Sequence, residues 1–353
     1  MPALLFLLWL WVAGWGLGQE ILRWLLGTQG QRALPSELHP LWSLALGWGA
    51  LAYATLAMGL LGGLNPWMAG GLLGLGTLLA LRAGWRAREA LFLSRPRWRT
   101  MESLGLATIL ALLLLNLLYA LSPPTANDWD DLTYHLAAPK VYLRHGRILP
   151  IPYDSHTHFP FTMEMLYTLA LLFSSAGAAK AIHWSIHALA VGSLFLFGQR
   201  LGSRRLGLMA ALIYATIPNA IWESGIAYID LAQGWYQWLA VWGLMEYAGW
   251  LPRPMPSWER RRLPLPLGLL GGFALGIKMM ALPAVAWVGL GLMGHGWRQR
   301  RWGEGGWGQA LGSALLFGGL ALAVGSPWYL KSYLWTGNPF FPFLHSLFPS
   351  PLW

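Results

Sequence analysis

Apolar residues fall in long blocks from one end of the chain to the other, near 3–18, 41–62, 66–81, 104–122, 181–198, 206–222, 228–249, 265–279, 281–294 and 308–328. Most approach the ~20 residues that an α-helix needs to cross the hydrocarbon core of a bilayer. The pattern predicts an all-α fold, a polytopic transmembrane helical bundle of about ten spans. A further apolar stretch, Phe161 to Ala176, is 16 residues long and interrupted by Glu164 and Thr168. It reads as a helix lying at the outer membrane interface, with a short tilted span as the alternative. Gly268, Gly272 and Gly276 form a small-xxx-small stripe on the eighth block, which predicts close helix packing. The Pro-rich stretch 251–266 and the Arg-rich stretch 82–99 read as connectors, and neither a soluble domain nor an internal repeat is visible.

Charge orients this series. Taking 19–40, 82–103, 199–205, 250–263 and 295–307 as cytoplasmic loops places 18 of the 24 Lys and Arg on that side. Lys140, Arg144, Arg147, Lys278 and Lys331 remain for the outer side, with Lys180 near an interface. The loop 123–160 then faces outward. Reading Phe161 to Ala176 as a span would instead carry Arg200, Arg204 and Arg205 outside. The net charge of +10 is thus explained by loop bias, and nucleic acid is excluded as a partner. With 56% hydrophobic and 11% charged residues the class is membrane protein, and the absence of cysteine removes disulfides, thiolate nucleophiles and iron–sulfur ligation. The first 18 residues lack a basic leader and read as an anchor. Two regions result: 1–103, N-terminal spans with a basic cytoplasmic loop, and 104–353, a membrane module carrying the outer loop and its flanking helix, 123–176.

The outer loop holds the candidate chemistry. Asp128, Asp130 and Asp131 lie within six residues of one another, and the other two aspartates, Asp154 and Asp230, fall on the same side. Pro123-Pro124 ends the preceding helix, Asn127-Asp128 offers an N-cap, and a helix is predicted from about Trp129 to Ala137, with Pro139 breaking or restarting it. On that helix Asp130 shares a face with Tyr134 and Asp131 with His135, each at i, i+4. Carboxylates, a phenol and an imidazole then converge, as a proton-transfer site requires. A plain helix cap with dipole-favoured acids is the competing reading of the same residues. His156 and His158 flank Thr157 in an extended segment, where solvated loop histidines are the simpler reading. Asp230, Lys278 and Lys331 lie near the outer ends of spans, where ionisable groups are costly and face a cavity or a partner. Glu223 accompanies Asp230 weakly, and His183 with His187 reads as a packed face.

These residues also carry a resemblance. The run Asp130-Asp131-Leu132-Thr133-Tyr134-His135-Leu136, then Pro139-Lys140, Tyr142, Gly146-Arg147-Ile148, His158-Phe159-Pro160 and Glu164-Met165-Leu166-Tyr167, resembles the first outer loop of the GT-C glycosyltransferase superfamily. It is most similar to bacterial members related to protein O-mannosyltransferases and aminoarabinose transferases. The likeness continues through Ile217-Pro218, Tyr228-Ile229-Asp230-Leu231, Gly272 to Lys278, Pro327-Trp328-Tyr329-Leu330-Lys331 and Thr336-Gly337-Asn338-Pro339, covering roughly 104–342. The resemblance implies a sugar donor linked to polyprenyl phosphate, Asp130 as the leading acid that deprotonates the acceptor, Asp131 as its partner, Asp230 as the acid of a later span, and Lys278 as the lysine ending the Gly-rich span. It also implies a juxtamembrane helix at 161–176. Two features depart from it: three spans precede the one entering the acidic loop, where many relatives have one, and relatives commonly continue beyond the point that Trp353 occupies here.

The implied reaction is attack by an acceptor hydroxyl or amine on the anomeric carbon, with lipid phosphate leaving. A carboxylate takes the acceptor's proton, the role of Asp130 and Asp131, and cations hold the phosphate, a role suited to Lys140, Arg144, Lys278 and Lys331. Tyr134, His135, His158 and Asp230 complete the expected substrate site. Asp130 and Asp131 are also the candidates for a divalent metal. The expected setting is the inner cell membrane with the site outward, and the acceptor is a glycan, lipid or protein. Competing classes are a transporter or flippase, which predicts an inverted repeat that the chain does not show, and a non-catalytic scaffold, in which the aspartates would be replaceable.

Overall fold

A computed structural model describes residues 1–86, 100–301 and 307–352. Among them are fourteen α-helices and no strand: α1 (Ala3–Ala33), α2 (His39–Leu60), α3 (Pro66–Arg86), α4 (Thr100–Leu121), α5 (Ala137–His145), α6 (Thr162–Phe173), α7 (Ala176–Arg200), α8 (Arg204–Ala215), α9 (Pro218–Ser224), α10 (Asp230–Ala248), α11 (Ser257–Arg260), α12 (Pro264–Ile277), α13 (Leu282–Arg301) and α14 (Trp307–Thr336). Most of the Arg-rich connector and of the 295–307 loop lies outside the described residues.

Six helices, α1, α2, α3, α4, α7 and α14, are long and apolar enough to cross a membrane, and α8 with α9 makes a seventh if that bent pair is one span. The other expected spans fall on helices that do not meet this measure. The block 206–222 is split because Pro218 cannot donate to the helix and holds Ile217 extended (φ −66°, ψ 117°), so α8 and α9 bend by 71°. α10 dilutes its apolar residues with Gln233, Gln237, Glu246 and five aromatic rings. α12 is 14 residues long, and the apolar part of the α13 region, Met279–His295, is also short. α6, with 12 residues, reaches only ~18 Å against the ~30 Å hydrocarbon core. Residues 161–170 are all buried, while Leu171, Leu172 and Phe173 at the end of α6 are partly exposed. The expected 19–40 loop is also shorter: α1 continues to Ala33 past a break at Gly27, whose φ of 72° favours glycine.

The chain divides into two compact units. The first comprises Met1–Leu22, Leu34–Arg147 and Glu164–Leu231, and the second Arg23–Ala33, Ile148–Met163 and Ala232–Trp353. A boundary at residue 103 therefore falls inside the first unit.

In the first unit α4, α7 and α8 enclose Ile109, Val191, Leu208, Ala211 and Ala215. Several polar groups of this unit find partners inside the fold. The Trp184 indole donates to Leu113 O at 2.8 Å, Gln19 to Ser43 at 2.9 Å, and Arg204 to Glu102 at 2.6 Å. α7 starts where the Ser175 hydroxyl accepts from the Ala178 amide. In the second unit the glycine stripe packs as its spacing predicts. A Cβ on Gly268 or Gly272 would come within 2.6 Å or 2.5 Å of Leu320 or Val324 on α14, so only glycine permits this approach.

Candidate functional site

The site of the first unit is built on the chain leaving α4. Asp128 is fully buried and accepts from the Tyr119 hydroxyl at 2.9 Å and the Thr125 amide at 2.8 Å. The Lys180 ammonium of α7 lies 3.6 Å from its Oδ2, donates to Ser122 O at 3.2 Å and stands 4.7 Å from the Tyr119 ring centre. Asp128 thus ties down the turn before the helix and does not cap the helix that follows, which corrects the capping expectation. Lys180, expected near an interface, is enclosed by protein beside Asp128.

The helix predicted for 129–137 forms with a π-turn at Asp131–His135, the Leu136 amide reaching back to Asp131 O at 3.0 Å. α5 follows, with Pro139 in its first turn, where a missing N–H costs nothing. A wider turn re-aims side chains and is frequent at functional sites. Here it separates the fates of the two adjacent aspartates. Asp130 is half-buried, its Oδ2 accepts from the Tyr134 hydroxyl at 3.1 Å, and its amide faces the Tyr228 hydroxyl at 3.4 Å. Its Oδ1 has no hydrogen-bond partner among the described residues. Asp131 is fully buried, and both its oxygens accept from the Ala227 amide, at 2.9 and 3.0 Å. Burial pushes its carboxyl up to about 6, against the pull of the Ala227 amide, His135 and Lys180, with Asp128 adding to the rise. Burial, then the charge of Asp130, raises the Tyr134 phenol, which stays a donor.

His135 is buried, with Nδ1 2.6 Å from Oε1 of the fully buried Glu164. It does not bond Asp131, its expected i, i+4 neighbour, although it feels that charge. The Tyr167 hydroxyl, one helical turn beyond Glu164 on α6, donates to Tyr228 O, so α6 also holds the loop before α10. His183 does the same from α7, its Nδ1 facing Glu223 O and Ile226 O at 3.0 and 2.9 Å. His187 stacks on Tyr214 with centroids 5.5 Å apart, a packing role. Asp230 is half-buried at the first residue of α10, and its charge reaches Tyr167. Lys140 and Arg144 are exposed one turn apart on α5. Spacing gave no access to the Glu164 and Lys180 partnerships, because their partners lie 29 and 52 residues earlier; an acid inside an apolar stretch was the available signal.

Three expected site residues belong to the second unit. Lys331 is buried, with its ammonium donating to Thr157 O at 2.9 Å and Phe159 O at 3.1 Å among the rings of Phe161, Trp328 and Trp335, each near 5 Å. These contacts make it an anchor for the 155–161 segment. His158 is buried, with Trp335 and Phe341 edge-on at 6.0 and 5.5 Å and no hydrogen-bond partner for Nδ1 among the described residues. Lys278 is half-buried and extended (φ −157°, ψ 135°), in the break that ends α12. The same unit holds an apolar groove of about 580 Å³ lined by residues that include Leu275, Met279, Met280, Leu322, Tyr329 and Phe343.

Burial, then Lys331, holds the His158 imidazole down to about 4. An unfolded histidine titrates near 6.5, so between about pH 6.5 and 4 the unfolded chain binds the extra proton and stability falls as pH falls. His158 should contribute a loss of up to about 3 kcal/mol over that window. Asp131 acts oppositely, since its folded carboxyl keeps a proton up to about 6, while an unfolded aspartate releases it near 3.9. Denaturant midpoints in detergent at pH 7 and 4 should therefore separate more for wild type than for His158→Phe. An equal separation would contradict the assignment.

Among the described residues no three His, Asp or Glu side chains gather as a metal-ligand set, and Asp130 and Asp131 have separate partners. Fold and site together define a class: an all-α protein of multi-pass membrane character bearing a carboxylate–phenol pair on a π-turn. No protein-family model, no curated protein and no solved structure matches the chain.

Proposed function

We propose that the chain is a membrane glycosyltransferase of the GT-C type, which transfers a sugar from a polyprenyl-phosphate donor to an acceptor on the outer face of the inner membrane. The observation that carries this reading is the division of labour among three neighbouring aspartates. Asp128 and Asp131 are buried and committed to Lys180 and the Ala227 amide, whereas Asp130 keeps an oxygen without a partner and is oriented by Tyr134. That is what a general base needs: a fixed carboxylate with room for an acceptor hydroxyl or amine within hydrogen-bond reach. Within the second unit, the apolar groove suits a hydrocarbon chain, and the two residues after Lys278 line it. Lys140 and Arg144, exposed on α5, and Asp230 remain candidate contacts for substrate. The direct test supplies purified protein with polyprenyl-phosphate sugar and an acceptor extract. Acceptor-dependent release of polyprenyl phosphate is expected, and its absence across donors would remove the reading.

The reading requires about ten membrane crossings, with 123–176 on the outer side and α6 not crossing. Because the chain has no cysteine, single cysteines report cleanly. Cysteine at Tyr153, 83% exposed, and at the exposed Ser175 brackets α6. Both should react with an impermeant thiol reagent added from outside. Protection of position 175 alone would show that α6 crosses.

A further inference from the structure

Tyr228 has no task in the reaction as written above, yet the fold holds it from several sides. Its carbonyl accepts from the Tyr167 hydroxyl, Trp222 stands edge-on to its ring at 5.5 Å and 80°, and the His135 ring lies 5.6 Å away. Its hydroxyl oxygen accepts from the Asp130 amide over a long 3.4 Å. The hydrogen of that hydroxyl has no acceptor among the described residues. Asp130 offers the complement. Its Oδ2 takes the Tyr134 hydroxyl, whereas its Oδ1 has no donor among the described residues and is not one of the enclosed atoms. Both residues are half-buried, and every group named belongs to the first unit. One donor and one acceptor thus stand at the same residue, beside its amide and on its carboxyl. A phenol that only completed the turn would need its lone pairs alone, and this one brings a hydrogen as well.

We propose that Tyr228 binds the acceptor through its O–H and that the acceptor group is a hydroxyl, not an amine; the inference rests on the glycosyltransferase reading. A hydroxyl oxygen has one hydrogen and two lone pairs, and the site has a use for each. The hydrogen goes to Asp130 Oδ1, one lone pair accepts from Tyr228, and the other faces the anomeric carbon. In the transfer step the acceptor's O–H bond breaks and the proton passes to Oδ1. The acceptor oxygen bonds to the anomeric carbon, the bond from that carbon to the phosphate oxygen breaks, and its electron pair stays on the phosphate. Tyr228 keeps its proton. A neutral amine has a single lone pair, so a nitrogen that accepts from Tyr228 has none left for attack. An ammonium has none at all and meets the Tyr228 donor with another donor. A site that pairs every function of a hydroxyl discriminates against a group that leaves its polar atoms unmatched.

The test uses the full chain in detergent, a polyprenyl-phosphate sugar and an acceptor extract, untreated or N-acetylated so that its amines are blocked and its hydroxyls are not. Wild type should release polyprenyl phosphate equally with both extracts. Tyr228→Phe keeps the ring and loses the hydroxyl. Its initial rate at limiting acceptor, which reads kcat/KM, should fall about tenfold, the worth of one hydrogen bond, with the donor KM unchanged and the denaturant midpoint near that of wild type. A phenol that served only the turn would lower the midpoint and spare the acceptor kcat/KM. Release abolished by N-acetylation, or a wild-type acceptor kcat/KM in Tyr228→Phe, would overturn the proposal while leaving the glycosyltransferase reading intact. No release by wild type with the untreated extract would end both. Should Tyr228→Phe not fold, the comparison of the two extracts on wild type decides.

Discussion

Lys180→Met lowers the stability of the folded protein by about 3–5 kcal/mol, the usual cost of leaving one member of a buried ion pair alone. The carboxylate of Asp128 and the ammonium of Lys180 are both fully enclosed, 3.6 Å apart. Methionine fills the same volume but leaves a charge whose remaining donors are the Tyr119 hydroxyl and the Thr125 amide and hydroxyl. Those bonds serve a neutral acceptor nearly as well. Adding Asp128→Asn to Lys180→Met should therefore restore most of the loss, and the double variant separates an electrostatic cause from a packing one. Denaturant titration in detergent of both single variants and the double one measures this. Loss in the double variant equal to that of Lys180→Met would show that the lysine matters for its stem alone.

Asp130→Asn should have the opposite character, leaving the fold in place and removing the chemistry. Asparagine can still accept from Tyr134 through its amide oxygen, so the π-turn keeps its hydrogen bond. It cannot accept the acceptor's proton, and removing a positioned base typically lowers rate by ~10²–10⁴-fold. Asp131→Asn is the matched comparison one residue away. Its amide oxygen still accepts from Ala227, and the variant removes a buried charge, so stability near neutral pH should change little and transfer should fall far less than in Asp130→Asn.

The class was legible in the sequence because apolar block length and loop charge follow from bilayer thickness and membrane potential, which act locally along the chain. The i, i+4 relation of Asp130 and Tyr134 was legible for the same reason. The Asp131–His135 relation was not, since the π-turn inserts a residue into the turn and sends His135 to Glu164. The break at Thr216-Ile217 was signalled by Pro218 but outvoted by the continuous apolarity of 206–222. Lys331 shows the limit most plainly. A lysine near the end of a span invites an anionic partner, yet two backbone carbonyls, which leave no mark in residue identity, accept from it beside the rings of Phe161, Trp328 and Trp335.

The central claim is that Asp130 is the base of a sugar transfer. Transfer of radiolabelled sugar from a polyprenyl-phosphate donor pool, followed in membranes holding equal amounts of folded wild type, Asp130→Asn and Asp131→Asn, tests it most directly. The account predicts transfer by wild type, loss of ~10²-fold or more in Asp130→Asn, and substantial transfer in Asp131→Asn. Wild-type transfer by Asp130→Asn would contradict it and leave the acidic cluster as a structural feature of the turn.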